Sequence, residues 1–237
     1  MKTDKGLIRS ENQDNCYVSV FSDNSCFAVV CDGMGGPNAG DIASEIAVKT
    51  VSEYVSVHWS NNQSMSEIQE ILVSAVKYAN EKIYNKSKED PSFEGMGTTL
   101  VAAVCINDDV VFANVGDSRA YFVGDKLRQV TKDHSLIQDM LDKGQLSKKE
   151  AETFPYKNII TRALGIDDTV KVDIFTCKAD RTDNILLCSD GLYNFVSDDE
   201  IIGVFREVSS DYVAVELINK ANSGGGKDNI TAVAIFR

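Results

Sequence analysis

Histidine is nearly absent: His58 and His134 are the only two in 237 residues. The six cysteines, Cys16, Cys26, Cys31, Cys105, Cys177 and Cys188, form no CxxC pair. Both facts point away from a zinc site, which needs His and Cys at set spacings. Most of the cysteines sit inside apolar runs such as "LVAAVCI" and "NILLCSD", as the reduced, buried thiols of a cytosolic protein do. No apolar run approaches the roughly 18 residues of a membrane span, and "MKTDKGLIRSENQD" at the N-terminus has no hydrophobic signal core. Positive charge is also short, 24 Lys and Arg against 36 Asp and Glu, net −12. Such a surface repels nucleic acid and anionic lipid. The excess acid serves solubility, or some of it faces cations. Pro/Gly/Ser-rich linkers, low-complexity tracts and internal repeats are missing too. A chain of this length fits one large domain or two small ones and is ample for a core.

Two long helical patterns are present. Residues 41–57 place Ile42, Ile46, Ala47, Thr50, Val51, Tyr54 and Val55 on one face, and residues 66–88 repeat this with Ile68, Ile71, Leu72, Ala75, Val76, Ala79 and Ile83. Then the period changes. "TTLVAAVCI", "VVFANVG", "RAYFVG" and "LRQVT" are short β-branched and aromatic runs separated by turn signals, and they predict an antiparallel meander. Residues 135–165 are polar, with two short helical segments, the second opened by the capping box "SKKE". Strands are expected again at 170–177 and 184–189. The capping box "SDDE" opens a helix to about 208, another helix covers 210–222, and "NITAVAIFR" closes the chain as a strand. Strands and helices come in blocks, which predicts an α+β layered sandwich, sheets packed together and helices outside, rather than a doubly wound parallel sheet.

Five aspartates stand at predicted strand ends: Asp14, Asp32, Asp117, Asp190 and Asp228. Any one of them reads equally well as a turn residue or helix cap. Five carboxylates at one sheet edge would repel one another without a cation between them. Oxygen ligands with no His or Cys select Mg²⁺ or Mn²⁺. In "CDGMGG", Gly33 follows Asp32, and a residue without a Cβ leaves its carbonyl free to reach the same ion.

Eight motifs, "GLIRSENQD", "CDGMGG", "GMGTTLVAA", "VGDSRAY", "TKDHS", "NIITRALG", "CSDGLYN" and "GKDNIT", follow one another across nearly the whole chain. In order and spacing this resembles the metal-dependent protein Ser/Thr phosphatases, the protein phosphatase 2C family, in its short bacterial form. The resemblance implies one domain over residues 1–237. Its architecture would be a four-layer α-β-β-α sandwich of two antiparallel sheets flanked by helices, with a flap over about 135–165. It implies two Mn²⁺ or Mg²⁺ ions sharing Asp32, the second also bound by the Gly33 carbonyl, and Asp190 and Asp228 completing the first ion's shell. Asp14 would contact the cluster directly or through water, and a third, weaker ion would use Asp117 with Asp190. Arg9, five residues before Asp14, matches the phosphate-binding arginine, whose fork suits a phosphate dianion; by itself it would read as a solvated surface charge. The implied reaction is hydrolysis of phosphoserine and phosphothreonine in proteins by a metal-activated water, with no phosphoenzyme. Phosphorylated proteins would be the partners, a Ser/Thr kinase the counterpart in signalling, and the chain a cytoplasmic monomer that binds neither nucleic acid nor membrane.

Rival chemistries find no support in the residues. A cysteine phosphatase needs Arg six positions after Cys, and here those positions hold Ser22, Asp32, Pro37, Val111, Asp183 and Asn194. GxSxG and GxxxxGK[ST] do not occur. The alternatives that stay open are a catalytically dead homologue that binds phosphoproteins and a small-molecule phosphatase. Two departures from the family touch the expected site. Met34 stands where some members place a histidine acid, and "FPYKN" puts Phe154 and Lys157 where the flap often has His and Arg. With Met34 in that place, His134 in "TKDHS" is the remaining candidate catalytic acid, its neighbour Asp133 expected to orient it and raise its pKa, with anchoring of the flap as its alternative role.

Overall fold

The computed structural model describes every residue except 37, 38, 61, 153 and 157. Lys157, one of the two flap departures, therefore lies outside the described residues. In chain order the elements are β1 (Lys2–Asp4), β2 (Asp14–Ser22), β3 (Ser25–Met34), α1 (Ala39–His58), α2 (Met65–Ser87), β4 (Gly97–Thr98), β5 (Leu100–Ile106), β6 (Asp109–Val115), β7 (Arg119–Val123) and β8 (Leu127–Gln129). They continue with α3 (Leu136–Asp142), α4 (Lys148–Glu152), β9 (Asp173–Lys178), β10 (Asn184–Cys188), α5 (Asp190–Tyr193), α6 (Asp198–Glu207), α7 (Val213–Ser223) and β11 (Ile230–Ile235). The capping boxes form at Ser147–Glu150 and Ser197–Glu200, and a third, Ser64–Glu67, opens α2.

Two antiparallel sheets result. One has the order β1-β11-β10-β7-β8; the other runs β2-β3-β5-β6-β9, with β4 paired to the end of β3. The expected α+β class with two antiparallel sheets between helices is what the chain adopts. Alternation along each strand explains why its central runs are apolar throughout. On β3, Phe27, Val29 and Cys31 face α1 and α2, while Ala28 and Val30 face the other sheet. On β5, Leu100, Ala102 and Val104 face the helices, and Val101, Ala103 and Cys105 face inward. The second sheet repeats this, with Leu186 and Cys188 of β10 turned to α5, α6 and α7 and Ile185 and Leu187 turned to the first. A strand buried on both faces cannot show a polar alternation. Across the inter-sheet layer, Phe112 of β6 meets Phe122 of β7 edge-on, with ring centroids 5.6 Å apart at 86°, a contact worth about 0.5–1.5 kcal/mol beyond its buried area.

The predicted meander is corrected in one respect. β5 pairs with β6, and β7 with β8, but β6 and β7 belong to different sheets. The chain changes sheet at Gly116–Asp117–Ser118. Gly116 takes φ +104°, and a Cβ there would stand 2.6 Å from the Thr99 side chain, so only glycine makes this crossing. The short β1, for which the sequence has no signal, pads the edge of β11.

The loop after "NIITR" is tied to α2 by one buried side chain. Asn80 Nδ2 donates to the Asp167 and Asp168 carbonyls at 3.0 and 3.3 Å, and Asn80 Oδ1 accepts the Gly165 N–H at 2.9 Å. Asn80 is only 1% exposed. Asn80→Ala strands these backbone groups and should lower the free energy of unfolding in urea by about 1–3 kcal/mol with an unchanged m-value. Unaltered stability would mean that the loop is held by other contacts.

Candidate metal centre

Antiparallel pairing brings the strand-end aspartates to one end of the sandwich. Asp14 opens β2 and Asp32 lies near the end of β3, and the two are direct cross-strand partners. Asp190 follows β10, Asp228 precedes β11, and these strands are antiparallel neighbours, so both loops lie at the same end. Asp117 occupies the turn where the chain changes sheet. Asp32, Gly33, Asp117, Asp190, Asp228 and Arg9 border one cleft of about 270 Å³, and Asp14 is buried beside Asp32, 6% exposed.

The electrostatics of this cluster are self-opposing. Burial raises the Asp32 carboxyl well above the ordinary carboxylate value, and Asp14, Asp190, Asp117 and Asp228 push it further. Burial and then Asp117, Asp228 and Asp14 push Asp190 up to about 8, with Arg9 opposing. Asp14 rises to about 6 through burial, although Ser189 Oγ donates to its Oδ2 at 2.6 Å. Asp117 rises to about 6 through burial and the nearby Asp133. The other Asp14 oxygen, Oδ1, is buried without a hydrogen-bond partner. A cluster of this kind is satisfied by protons or by cations. Its donors are all oxygen, as Mg²⁺ and Mn²⁺ prefer, and the orphaned Oδ1 has room for a ligand's role. Among the described residues no three acidic, His or Cys side chains already surround one point. An ion that keeps several waters asks for only one or two carboxylates of its own, so the residues present fit divalent ions.

A set of uncharged side chains holds the acids in place, and the sequence reading missed them. Thr99 Oγ1 accepts the Asp32 N–H at 3.0 Å and shares a hydrogen with Ser118 Oγ at 2.7 Å. Thr98 Oγ1 and the Thr99 N–H both donate to the Asp32 carbonyl. Ser189 links Asp14 to the Thr231 N–H. Asn229 accepts the Gln13 N–H and donates to the Lys5 and Glu11 carbonyls, fixing the segment between Arg9 and Asp14. These residues sit inside the quoted motifs, Thr98 and Thr99 in "GMGTTLVAA", Ser118 in "VGDSRAY", Ser189 in "CSDGLYN" and Asn229 in "GKDNIT"; for Ser118, Ser189 and Asn229 the place beside an acid was the available signal. Arg119 forks onto Asp133 through Nε and Nη2 and stacks on Tyr193 at 3.6 Å. Tyr193 Oη in turn donates to the Asp117 carbonyl at 3.1 Å.

Close packing adds a second requirement for glycine at Gly33. Its φ is not positive, but a Cβ there would lie 2.0 Å from the Gly40 carbonyl oxygen and 2.6 Å from that of Gln13. The glycine lets the start of α1 and the "NQD" segment close against the tip of β3. Arg9 is half exposed and donates from Nη2 to Asp228 Oδ2 at 2.8 Å. Met34 lines the cleft, as do Asn158 and Ile160 from the segment after α4.

His134, unlike the other catalytic candidates Arg9 and Asp32, does not line the cleft. It is 6% exposed. Its Nδ1 accepts the Gly116 N–H at 3.0 Å, which leaves the ring proton on Nε2, directed at Asp173 Oδ2 at 3.1 Å. Arg162 lies against the same nitrogen and also donates to Asp173. Burial, with Arg162, holds the imidazole below its ordinary value and therefore neutral. Asp133, expected to orient His134, is taken by Arg119 instead.

Comparison with known proteins agrees with this geometry. The profile of the protein phosphatase 2C family matches residues 9–220. A serine/threonine phosphatase stp from Listeria monocytogenes is 43% identical over 243 residues, covering all of this chain and 94% of that protein. The serine/threonine phosphatase structure from S. agalactiae superposes with a TM-score of 0.91 at 35% identity, covering all of this chain and 98% of that one. The catalytic domain of the phosphatase PstP, solved in complex with two manganese ions, has a TM-score of 0.83 at 32% identity, covering 98% and 94% of the two chains. With a full-length likeness in sequence and fold, and acids gathered at one end of the sandwich, the chain belongs to the protein phosphatase 2C family.

Proposed function

We propose that the chain hydrolyses phosphoserine and phosphothreonine monoesters in proteins, using two Mn²⁺ or Mg²⁺ ions. Asp14, Asp32, Asp190, Asp228 and the Gly33 carbonyl would hold them, and Asp117 with Asp190 a weaker third ion. The observation that carries this reading is the convergence of four carboxylates and Arg9 on one cleft, with the Asp14 carboxylate buried beside Asp32 and repelling it. When bound, the ions supply an activated water near neutral pH and offset charge on the phosphoryl oxygens. The chain's own groups do the rest. Arg9 presents a half-exposed guanidinium at the cleft and exchanges Asp228 for two phosphate oxygens. Thr98 and Thr99 clamp the backbone of Asp32 so that its carboxylate has one orientation. Ser189 holds one oxygen of Asp14 and leaves the other available. Met34 and Ile160 give the rim of the cleft apolar cover. His134 keeps the Gly116–Asp117 turn in place through Nδ1 and joins it to Arg162 and Asp173; it takes no part in leaving-group protonation.

Residues 135–165 form a flap in this reading. It contributes Asn158 and Ile160 to the cleft and exposes Tyr156 and Ile159 beside it, surfaces suited to a protein substrate. Phosphoproteins are the partners and a Ser/Thr kinase the counterpart in signalling, with the chain acting as a cytoplasmic monomer. Among the described residues no helix is long and apolar enough to cross a membrane.

Hydrolysis of a phosphothreonine peptide should require Mn²⁺ or Mg²⁺ and stop in chelator. Asp32→Asn should lower kcat by more than about 100-fold with an unchanged circular dichroism spectrum. Full activity in either condition would overturn the metal assignment.

The raised carboxylates also set a pH dependence. In the metal-free protein Asp14, Asp117 and Asp190 hold protons that the unfolded chain releases from 3.8 upward, so stability should fall as pH rises from about 4 to about 8. Mn²⁺ binds the deprotonated acids and should remove the fall, so the gap between loaded and metal-free Tm widens with pH. A metal-free Tm that does not vary over this window would refute the cluster's electrostatics.

Arg9→Ala should raise KM for the phosphopeptide by about 10- to 100-fold, the value of a charge-assisted pair, with a smaller change in kcat. An unchanged KM would return Arg9 to the solvated surface.

A further inference from the structure

A cleft of about 640 Å³ lies at the other end of the sandwich, between the β2–β3 turn, the β5–β6 turn and the end of β11. Its wall contains two thiols. Cys26 of β3 and Cys105 of β5 are direct cross-strand partners in the antiparallel ladder. Both turn to the inter-sheet side, where Cys105 is a member of the buried cluster and Cys26 packs against it. Directly opposed residues have Cβ atoms about 4.5–5.5 Å apart, and a disulfide needs about 3.5–4.5 Å, so a small closing of the two strands suffices. The other four cysteines have no such partner. Cys16 faces Val30, Cys31 faces Asn15, Cys177 faces Val110, and Cys188 faces Ala232 and Arg119.

The surroundings of the pair are unequal. Cys26 is partly exposed to the cleft and Cys105 is 4% exposed. Arg237 borders the same cleft, paired with Asp108. A hydrogen bond with Cys105 lowers the Cys26 thiol from its ordinary value, with Arg237 adding to the effect, while Cys105 is raised. Reactivity follows the thiolate and its access. Cys31 and Cys188 are fully buried and raised by that burial.

We propose that Cys26 and Cys105 are a redox-reactive pair that peroxide oxidises to a cross-strand disulfide, at the end of the sandwich remote from the metal centre. The Cys26 thiolate attacks one oxygen of hydrogen peroxide; the S–O bond forms, the O–O bond breaks, and hydroxide leaves with the electron pair and takes up a proton as water. Cys105 then attacks the sulfur of the Cys26 sulfenic acid; the S–S bond forms, the S–O bond breaks, and the departing hydroxide takes up the Cys105 thiol proton as a second water. Two thiols lose two electrons and one peroxide gains them. Because the strands must close to make it, the bond is of the more easily reduced kind and should reopen with a dithiol.

The test is peroxide treatment of the full chain with Mn²⁺ present, followed by intact mass, maleimide titration and peptide mapping. Expected are a loss of the mass of two hydrogens, two fewer titratable thiols, and one linked peptide pair containing Cys26 and Cys105, all reversed by dithiothreitol. Cys105→Ser should instead leave a sulfenic acid on Cys26 that dimedone traps, and Cys26→Ser should give neither product. Cys105→Ala serves in place of Cys105→Ser if the hydroxyl perturbs the layer, judged by circular dichroism. Oxygen addition with no disulfide, a bridge between other cysteines, or a Cys105 variant with no dimedone adduct at Cys26 would each overturn the proposal.

Discussion

Repulsion among buried carboxylates is the constraint on which the active end of this protein depends. Asp14 and Asp32 face each other across a ladder, Asp190 and Asp228 enter from the neighbouring sheet, and Asp117 sits where the chain passes between the sheets. Four of these groups are held above their ordinary values, by burial first and then by neighbouring carboxylates, which for Asp14, Asp32 and Asp190 belong to the cluster and for Asp117 is Asp133. A fold that gathers them must anchor each against spreading. It does so with neutral donors and acceptors, Thr98, Thr99, Ser118, Ser189 and Asn229, which add no charge to the balance. The rigidity needed to aim oxygens at an ion is thus supplied by groups that no chemical step consumes.

That anchoring rests on the sandwich. Sheets buried on both faces give strands whose backbones have little freedom to shift, and the inter-sheet layer is built mostly from Ala, Val and Ile with the Phe112–Phe122 contact across it. The interior is close-packed, so a displacement at the strand tips would have to propagate through it. Gly33 and Gly116 are two of the places where close approach replaces side-chain packing. One admits the start of α1 against the tip of β3, and the other admits Thr99 at the sheet crossing. Each stands beside an aspartate of the cluster, so the close packing and the proposed metal site occupy the same few residues.

Around this centre the charged side chains divide between two kinds of work. Arg9 remains half exposed and paired with Asp228, an arrangement that suits the phosphate-binding role proposed for it. Arg119 and Arg162 are locked. The first is forked onto Asp133 and stacked on Tyr193, and the second is spread over Asp173, His134 and the Lys171 carbonyl. Together they tie the Gly116–Asp117 turn, the start of residues 135–165 and β9 into one unit. His134 belongs to that unit, and both its nitrogens face partners within it.

Much of this was present in the sequence alone, because it follows from local rules. Amphipathic period determined α1 and α2, capping boxes determined the starts of α4 and α6, and acids after apolar runs marked the strand tips. The ordered motifs identified the family. What the sequence left open was decided by non-local pairing. Strand alternation says that a strand has two faces, not which sheet it joins, so "VVFANVG" and "RAYFVG" read as neighbours although the chain parts them at Gly116. Spacing from Asp14 singled out Arg9 but could not show that Asp228, far along the chain, holds it. Adjacency to Asp133 suggested an oriented His134, yet the folded chain gives Asp133 to Arg119 and His134 to Gly116 and Asp173. The facing of Cys26 and Cys105 is of the same kind, because register between β3 and β5 depends on both strands at once and on the layers they bury together.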